Sequence, residues 1–137
     1  MKTTRRSRQR EELKKYLASR KDHPTAEMIY AALRKEDPTL SLGTVYRNLA
    51  LLTKLGEIRE IGTENGPDHY DADTSIHGHL ICRHCLQVYD LQITGLEHLM
   101  KQAEDISDGR IEDLSANFYG TCVQCLKNAE DLSKQDA

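Results

Sequence analysis

Two Cys-x-x-Cys pairs, Cys82 with Cys85 and Cys122 with Cys125, use every cysteine in this 137-residue chain. Four thiolates in two close pairs can close a tetrahedral shell around one Zn²⁺, so the chain must fold in a way that brings two distant segments together. Two disulfides are the other reading of an even cysteine count. Disulfides belong mainly to oxidising compartments, however, and the sequence shows neither a signal peptide nor a long apolar run. The spacing therefore predicts a closed structural Zn²⁺ site on Cys82, Cys85, Cys122 and Cys125, which holds structure and does no chemistry. His77-x-His79 leads directly into the first pair and leaves its imidazoles for a second metal.

Charge divides the chain unevenly. Residues 1–60 carry 14 Lys and Arg against 8 Asp and Glu, a balance of +6, whereas residues 61–137 carry 5 against 14, a balance of −9. A basic half joined to an acidic half rich in metal ligands points to one part that meets nucleic acid and one that senses or dimerises. A merely solvated, charged helix face is the plainer explanation of such a bias. A mean hydropathy of −0.66 argues against a membrane span, and a cytoplasmic location is expected.

The basic half reads as three short helices. Leu13, Tyr16 and Leu17 share a face between about Arg6 and Ser19. Thr25 is a candidate N-cap for a second run with Ile29, Tyr30 and Leu33, which Asp37-Pro38 stops. Ser41 caps a third helix whose stripe is Leu42, Val45, Leu49, Leu52 and Leu55, closed by Gly56. This pattern predicts a helix-turn-helix with the third helix as the reading helix. Thr44, Arg47 and Asn48 are expected to point outward near its start, with Tyr46 at the edge, where phosphate and base-edge contacts are made. Glu57 to Ile61 and Asp68 to Ala72 flank Asn65-Gly66-Pro67, a hairpin signal that makes the module winged.

Beyond the hairpin, Gly78 to Cys82 and Gln87 to Leu91 read as strands around the first cysteine knuckle, and a helix is expected from about Leu96 to Ile106. Arg110 to Tyr119 returns as an extended segment that must pair with the earlier sheet to deliver Cys122 and Cys125. The last residues, Asp131 to Ala137, read as a frayed polar end. The predicted fold class is α+β, with a winged helix-turn-helix over residues 1–72 and a small zinc-stabilised dimerisation domain over 73–137.

The ordered motifs His23-Pro-Thr-Ala-Glu, Thr44-Val-Tyr-Arg-Asn-Leu49, His77-x-His79-x-x-Cys82-x-x-Cys85 and Tyr119-Gly-x-Cys122-x-x-Cys125 resemble the ferric-uptake-regulator family from about Arg6 to Lys127. The resemblance is greatest to its peroxide-sensing branch, because Asp90 stands where the iron-sensing branch typically has Glu. It implies a regulatory metal site of His23, Asp71, His77, His79 and Asp90, and that donor set suits Fe²⁺ or Mn²⁺. It also implies a homodimeric repressor on a palindromic double-stranded DNA operator, released when hydrogen peroxide acts on bound Fe²⁺ and oxidises His23 or His77. As residues, His77 and His79 lie two apart on the expected strand and so share a face.

Relatives commonly carry a further helix ahead of this point, so DNA contacts are expected to lean on Arg5, Arg6 and Arg8. Arg110 to Tyr119 lacks the histidines relatives often have there, which argues against a further sensory site. His69 lies close to Asp71, but nothing else in the sequence assigns it to a site. The alternative in the same class is a repressor that senses iron, manganese or zinc by occupancy alone. A metalloenzyme that activates water is disfavoured, since no nucleophile or base motif accompanies the histidines. The basic amino-terminal half argues against an interaction module that does not bind DNA.

Overall fold

Local capping sets where the first three helices begin. In the computed structural model, which describes residues 4–64 and 66–135, the side chain of Thr4 accepts from the Ser7 amide and opens α1 (Arg5–Ser19). Thr25 opens α2 (Ala26–Leu33) by accepting from Met28, and Ser41 opens α3 (Leu42–Lys54) by accepting from Thr44. Each cap satisfies an amide that the helix itself leaves without a partner. Arg5, Arg6 and Arg8 therefore project from the first turns of a helix.

The end of α3 is equally local. Glu57 N donates to Leu52 O at 2.9 Å and Gly56 N to Thr53 O at 3.0 Å, with Gly56 at φ 74°. This is a Schellman cap, which needs the left-handed conformation that glycine adopts without penalty. It also explains a departure from the predicted stripe. Leu55 sits in the cap and not in the helix, so it is 60% exposed while Val45, Leu49 and Leu52 are buried.

Two compact units result, Met1–Thr74 and Ser75–Ala137. In the first, Leu13 and Leu17 of α1 pack with Ile29 of α2 and with Val45, Leu49 and Leu52 of α3, and Ile58 and Tyr70 complete the cluster. Burying each of these aliphatic side chains contributes about 1.5–3 kcal/mol. Strands β1 (Arg59–Ile61) and β2 (His69–Asp71) pair antiparallel, Glu60 opposite Tyr70, and form the wing. Asn65 of the expected turn lies outside the described residues.

The second unit holds a three-stranded sheet in the order β4-β3-β5. β3 (Gly78–Cys82) runs antiparallel to β4 (Val88–Leu91) and parallel to β5 (Ala116–Gly120), with α4 (Leu96–Ser107) in the crossover. A final helix, α5 (Val123–Gln135), starts at the second cysteine pair, where Leu126 N bonds Cys122 O at 3.0 Å. The sequence shows no capping signal for it and few apolar positions, and its exposed Leu126 and Leu132 explain why no core-facing stripe marks it. The buried apolar residues of this unit are few, chiefly Ile81, Val88 and Leu96 beside Cys82 and Cys122. Among the described residues, no helix is long and apolar enough to cross a membrane.

Candidate metal centres and nucleic-acid interface

The pairing of β3 with β5 sets Cys82 beside Gly120 and so delivers the second cysteine pair to the first. Cys82 Sγ lies 3.7 Å from Cys125 Sγ, and Cys85 Sγ lies 3.8 Å from Cys122 Sγ. A disulfide needs about 2.05 Å, and all four cysteines are free thiols. With Zn–S near 2.3 Å, the edges of a tetrahedral Zn²⁺ shell are about 3.8 Å long, so these two edges already have that length, and all four sulfurs lie within 4.8 Å of one another.

The backbone prepares the sulfurs for negative charge. Amides of Cys85 and Cys122 point at Cys82 Sγ at 3.5 and 3.4 Å, and the Cys125 amide points at Cys122 Sγ at 3.5 Å. Burial pushes the Cys82 thiol up, but the N–H groups of Cys85, Cys122 and His84 outweigh it and bring it down to about 6. The chemistry of this donor set fits Zn²⁺, a soft-tolerant ion that takes four thiolates.

A second group of donors lies at the other end of β3. His79 is directly opposite Asp90 of β4, and its Nε2 lies 3.4 Å from Asp90 Oδ1. His77 precedes β3 by one residue and is not on the strand as expected, yet its Nε2 also reaches Asp90 Oδ1, at 3.0 Å. The two rings meet edge to face with centroids 4.5 Å apart. His77 Nδ1 donates to Ser75 O at 2.8 Å. That bond fixes the tautomer and leaves Nε2 as the ring's donor atom for a metal.

Two further candidates belong to the first unit. His23 Nε2 lies 3.2 Å from Asp71 Oδ2, and the Asp73 amide holds Asp71 Oδ1 at 2.9 Å. His23 has φ 53°, and it precedes Pro24. Left-handed backbone is uncommon outside glycine, and such strain costs on the order of 1–3 kcal/mol and collects at functional sites.

The reading face of α3 carries Tyr46 and Arg47 exposed and Thr44 half-buried. Arg47 Nη2 donates to Thr44 Oγ1 at 3.0 Å. Asn48 corrects the expectation: it is buried, only 8% exposed, because it follows Val45 by three residues and precedes Leu49, on the core side of the helix. It is therefore not placed to read DNA. A residue that sequence reasoning missed is Glu27 of α2, whose Oε1 accepts from the Tyr46 hydroxyl at 2.5 Å. No periodicity links positions nineteen residues apart, so no local signal marked it.

A winged helix-turn-helix followed by a small α+β unit with a four-cysteine site and a His/Asp cluster describes a class of metal-binding regulators. The chain belongs to the ferric uptake regulator family, whose model matches residues 1–119. It is 32% identical over 117 residues to the peroxide-responsive repressor PerR of Staphylococcus aureus strain USA300, spanning 85% of this chain and 79% of that protein. Its fold is similar to the crystal structure of the Campylobacter jejuni peroxide stress regulator, with a TM-score of 0.79 and 31% identity over 88% of this chain and 90% of that one. It is also similar to the Helicobacter pylori ferric uptake regulator Fur, described as having three functional metal-binding sites. There the TM-score is 0.76 and the identity 26%, over 87% of this chain and 82% of that one.

Proposed function

We propose that this protein is a cytoplasmic, homodimeric transcriptional repressor that binds a palindromic DNA operator when metallated and releases it in response to hydrogen peroxide. In this reading residues 1–72 bind DNA through Thr44, Tyr46 and Arg47, with Arg5, Arg6 and Arg8 on phosphates. Residues 73–137 hold one structural Zn²⁺ on the four cysteines and pair with a second copy. Leu99 and Ile106 of α4, Phe118 of the edge strand β5 and Leu126 of α5 are exposed apolar side chains of the kind that homodimers bury.

The observation that carries the reading is the hard, sulfur-free donor set. His77 and His79 present Nε2 to Asp90, and His23 presents Nε2 to Asp71. Imidazole and carboxylate donors suit Fe²⁺ or Mn²⁺ and suit a thiophilic ion less well. An ion held by these five residues would couple operator binding to metal occupancy. Held by these residues, Fe²⁺ would supply one-electron reduction of peroxide beside its own ligands. His23 and His77 are the imidazoles assigned to take up oxygen, after which they are poorer donors and the coupling is lost.

The test is operator binding with Mn²⁺ against Fe²⁺, each with and without peroxide, followed by peptide mass spectrometry. Release in the Fe²⁺ plus peroxide sample alone, with one oxygen added to the His23 or His77 peptide, is expected. Equal retention in all four samples would leave an occupancy sensor, and oxidation confined to the cysteines would make the zinc site the switch.

A further inference from the structure

His69 is buried on β2, where the sequence assigned it no role. Its Nδ1 donates to the backbone carbonyl of His23 at 2.5 Å, across a separation of forty-six residues. Two further contacts hold the same loop to the same strand: Thr25 and His69 form an antiparallel bridge, and Tyr70 N bonds Pro24 O at 3.0 Å. β2 thus runs alongside the segment His23-Pro24-Thr25 and grips it at consecutive positions.

Strand geometry gives this grip a direction. His69 and Asp71 are two apart on β2, so their side chains leave the strand on one face. Asp71 receives the His23 imidazole at 3.2 Å, while His69 holds the His23 peptide. One strand face therefore fixes both the backbone and the ring of the same histidine. The backbone is where help is needed, because His23 has φ 53° and is followed by Pro24, and a residue before proline is driven toward extended conformations. Without an anchor on its carbonyl, the segment has an extended alternative that would carry the imidazole elsewhere.

We propose that His69 is a positioning residue for the regulatory metal, holding the His23 carbonyl so that the His23 imidazole stays aligned with Asp71. The inference rests on the reading of His23 and Asp71 as ligands to that metal. His69 acts as a donor to a ligand's backbone and not as a ligand. Neighbours of this kind orient metal ligands, and losing one typically costs 10- to 100-fold in affinity, an order-of-magnitude expectation.

The test uses the full-length zinc-loaded protein and Mn²⁺ alone as the probe, with affinity measured by competition against a fluorescent chelator. His69→Leu removes the donor at similar bulk, His69→Gln keeps an amide N–H able to reach a carbonyl, and Asp71→Ala removes a ligand. Expected is a loss on the order of 10- to 100-fold in His69→Leu, recovery of most of it in His69→Gln, and unchanged zinc content in both. Wild-type affinity in His69→Leu together with a clear loss in Asp71→Ala would overturn the proposal while sparing the ligand assignment. Wild-type affinity in Asp71→Ala would overturn both. Should His69→Leu fail to fold, the unaltered protein still decides the matter. By NMR, the His69 Nδ1 proton of the Mn²⁺-free protein is expected to exchange slowly with water, and fast exchange would overturn the proposal.

Discussion

Changing Cys122 to Ser tests the zinc site most sharply. The second unit buries few large apolar side chains, and Ile81, Val88 and Leu96 together contribute only about 5–9 kcal/mol at 1.5–3 kcal/mol each. Ordering a backbone costs roughly 1–2 kcal/mol per residue, so a core of this size does not hold a small domain without a staple. Structural Zn²⁺ contributes about 10–16 kcal/mol, comparable to the whole stability of a typical domain. Cys122 also sits at the start of α5, and its sulfur faces Cys85 Sγ at 3.8 Å. Cys122→Ser should therefore lose zinc and with it the cooperative melting of residues 75–135, while the helical first unit keeps its own transition. Metal analysis by mass spectrometry combined with circular-dichroism melting reads both effects. The unaltered protein should be insensitive to a thiol reductant and sensitive to a strong chelator, the reverse of what two disulfides would give. A Cys122→Ser protein that is zinc-free and melts like the original would refute the reasoning.

Three further outcomes are expected. The Tyr46 hydroxyl holds the Glu27 carboxyl below its ordinary value of 4.5. Their bond is therefore fully present above that value and lost as pH falls through the lowered one; Tyr46→Phe should return the Glu27 midpoint upward in an NMR titration, and an unmoved midpoint would contradict the contact. Arg47→Ala should weaken operator binding without altering zinc content. If Arg47 meets a phosphate, the salt slope of affinity falls by about 1; if it meets a base, discrimination falls by about 1–3 kcal/mol, and no change in either measurement would place the reading surface elsewhere. Gly56→Ala should lower the stability of the first unit by about 1–2 kcal/mol in chemical denaturation. An added Cβ at Gly56 meets nothing within 4 Å, so the cost is purely that of φ 74°, and a neutral result would show that α3 ends differently.

Much of this protein follows from chemistry that is local in the chain. Thr4, Thr25 and Ser41 cap helices because a hydroxyl reaches an amide three residues on, and Gly56 ends α3 because only its own backbone must turn. The two cysteine pairs announce a shell for one ion through spacing alone, and helical periodicity identified Leu13, Val45, Leu49 and Leu52 as core. Tertiary structure decided what depends on contacts between distant residues. Asn48 is polar, and only the packing of α3 shows that it lies on the buried side. Helix α5 has no cap or stripe of its own and begins where Cys122 is held by the parallel pairing of β5 with β3. Glu27 meets Tyr46, and His69 meets the carbonyl of His23, because helix packing and strand pairing bring them within hydrogen-bond reach. Periodicity and motif spacing describe one segment at a time, whereas a hydrogen bond between segments exists only once the fold has set the distance.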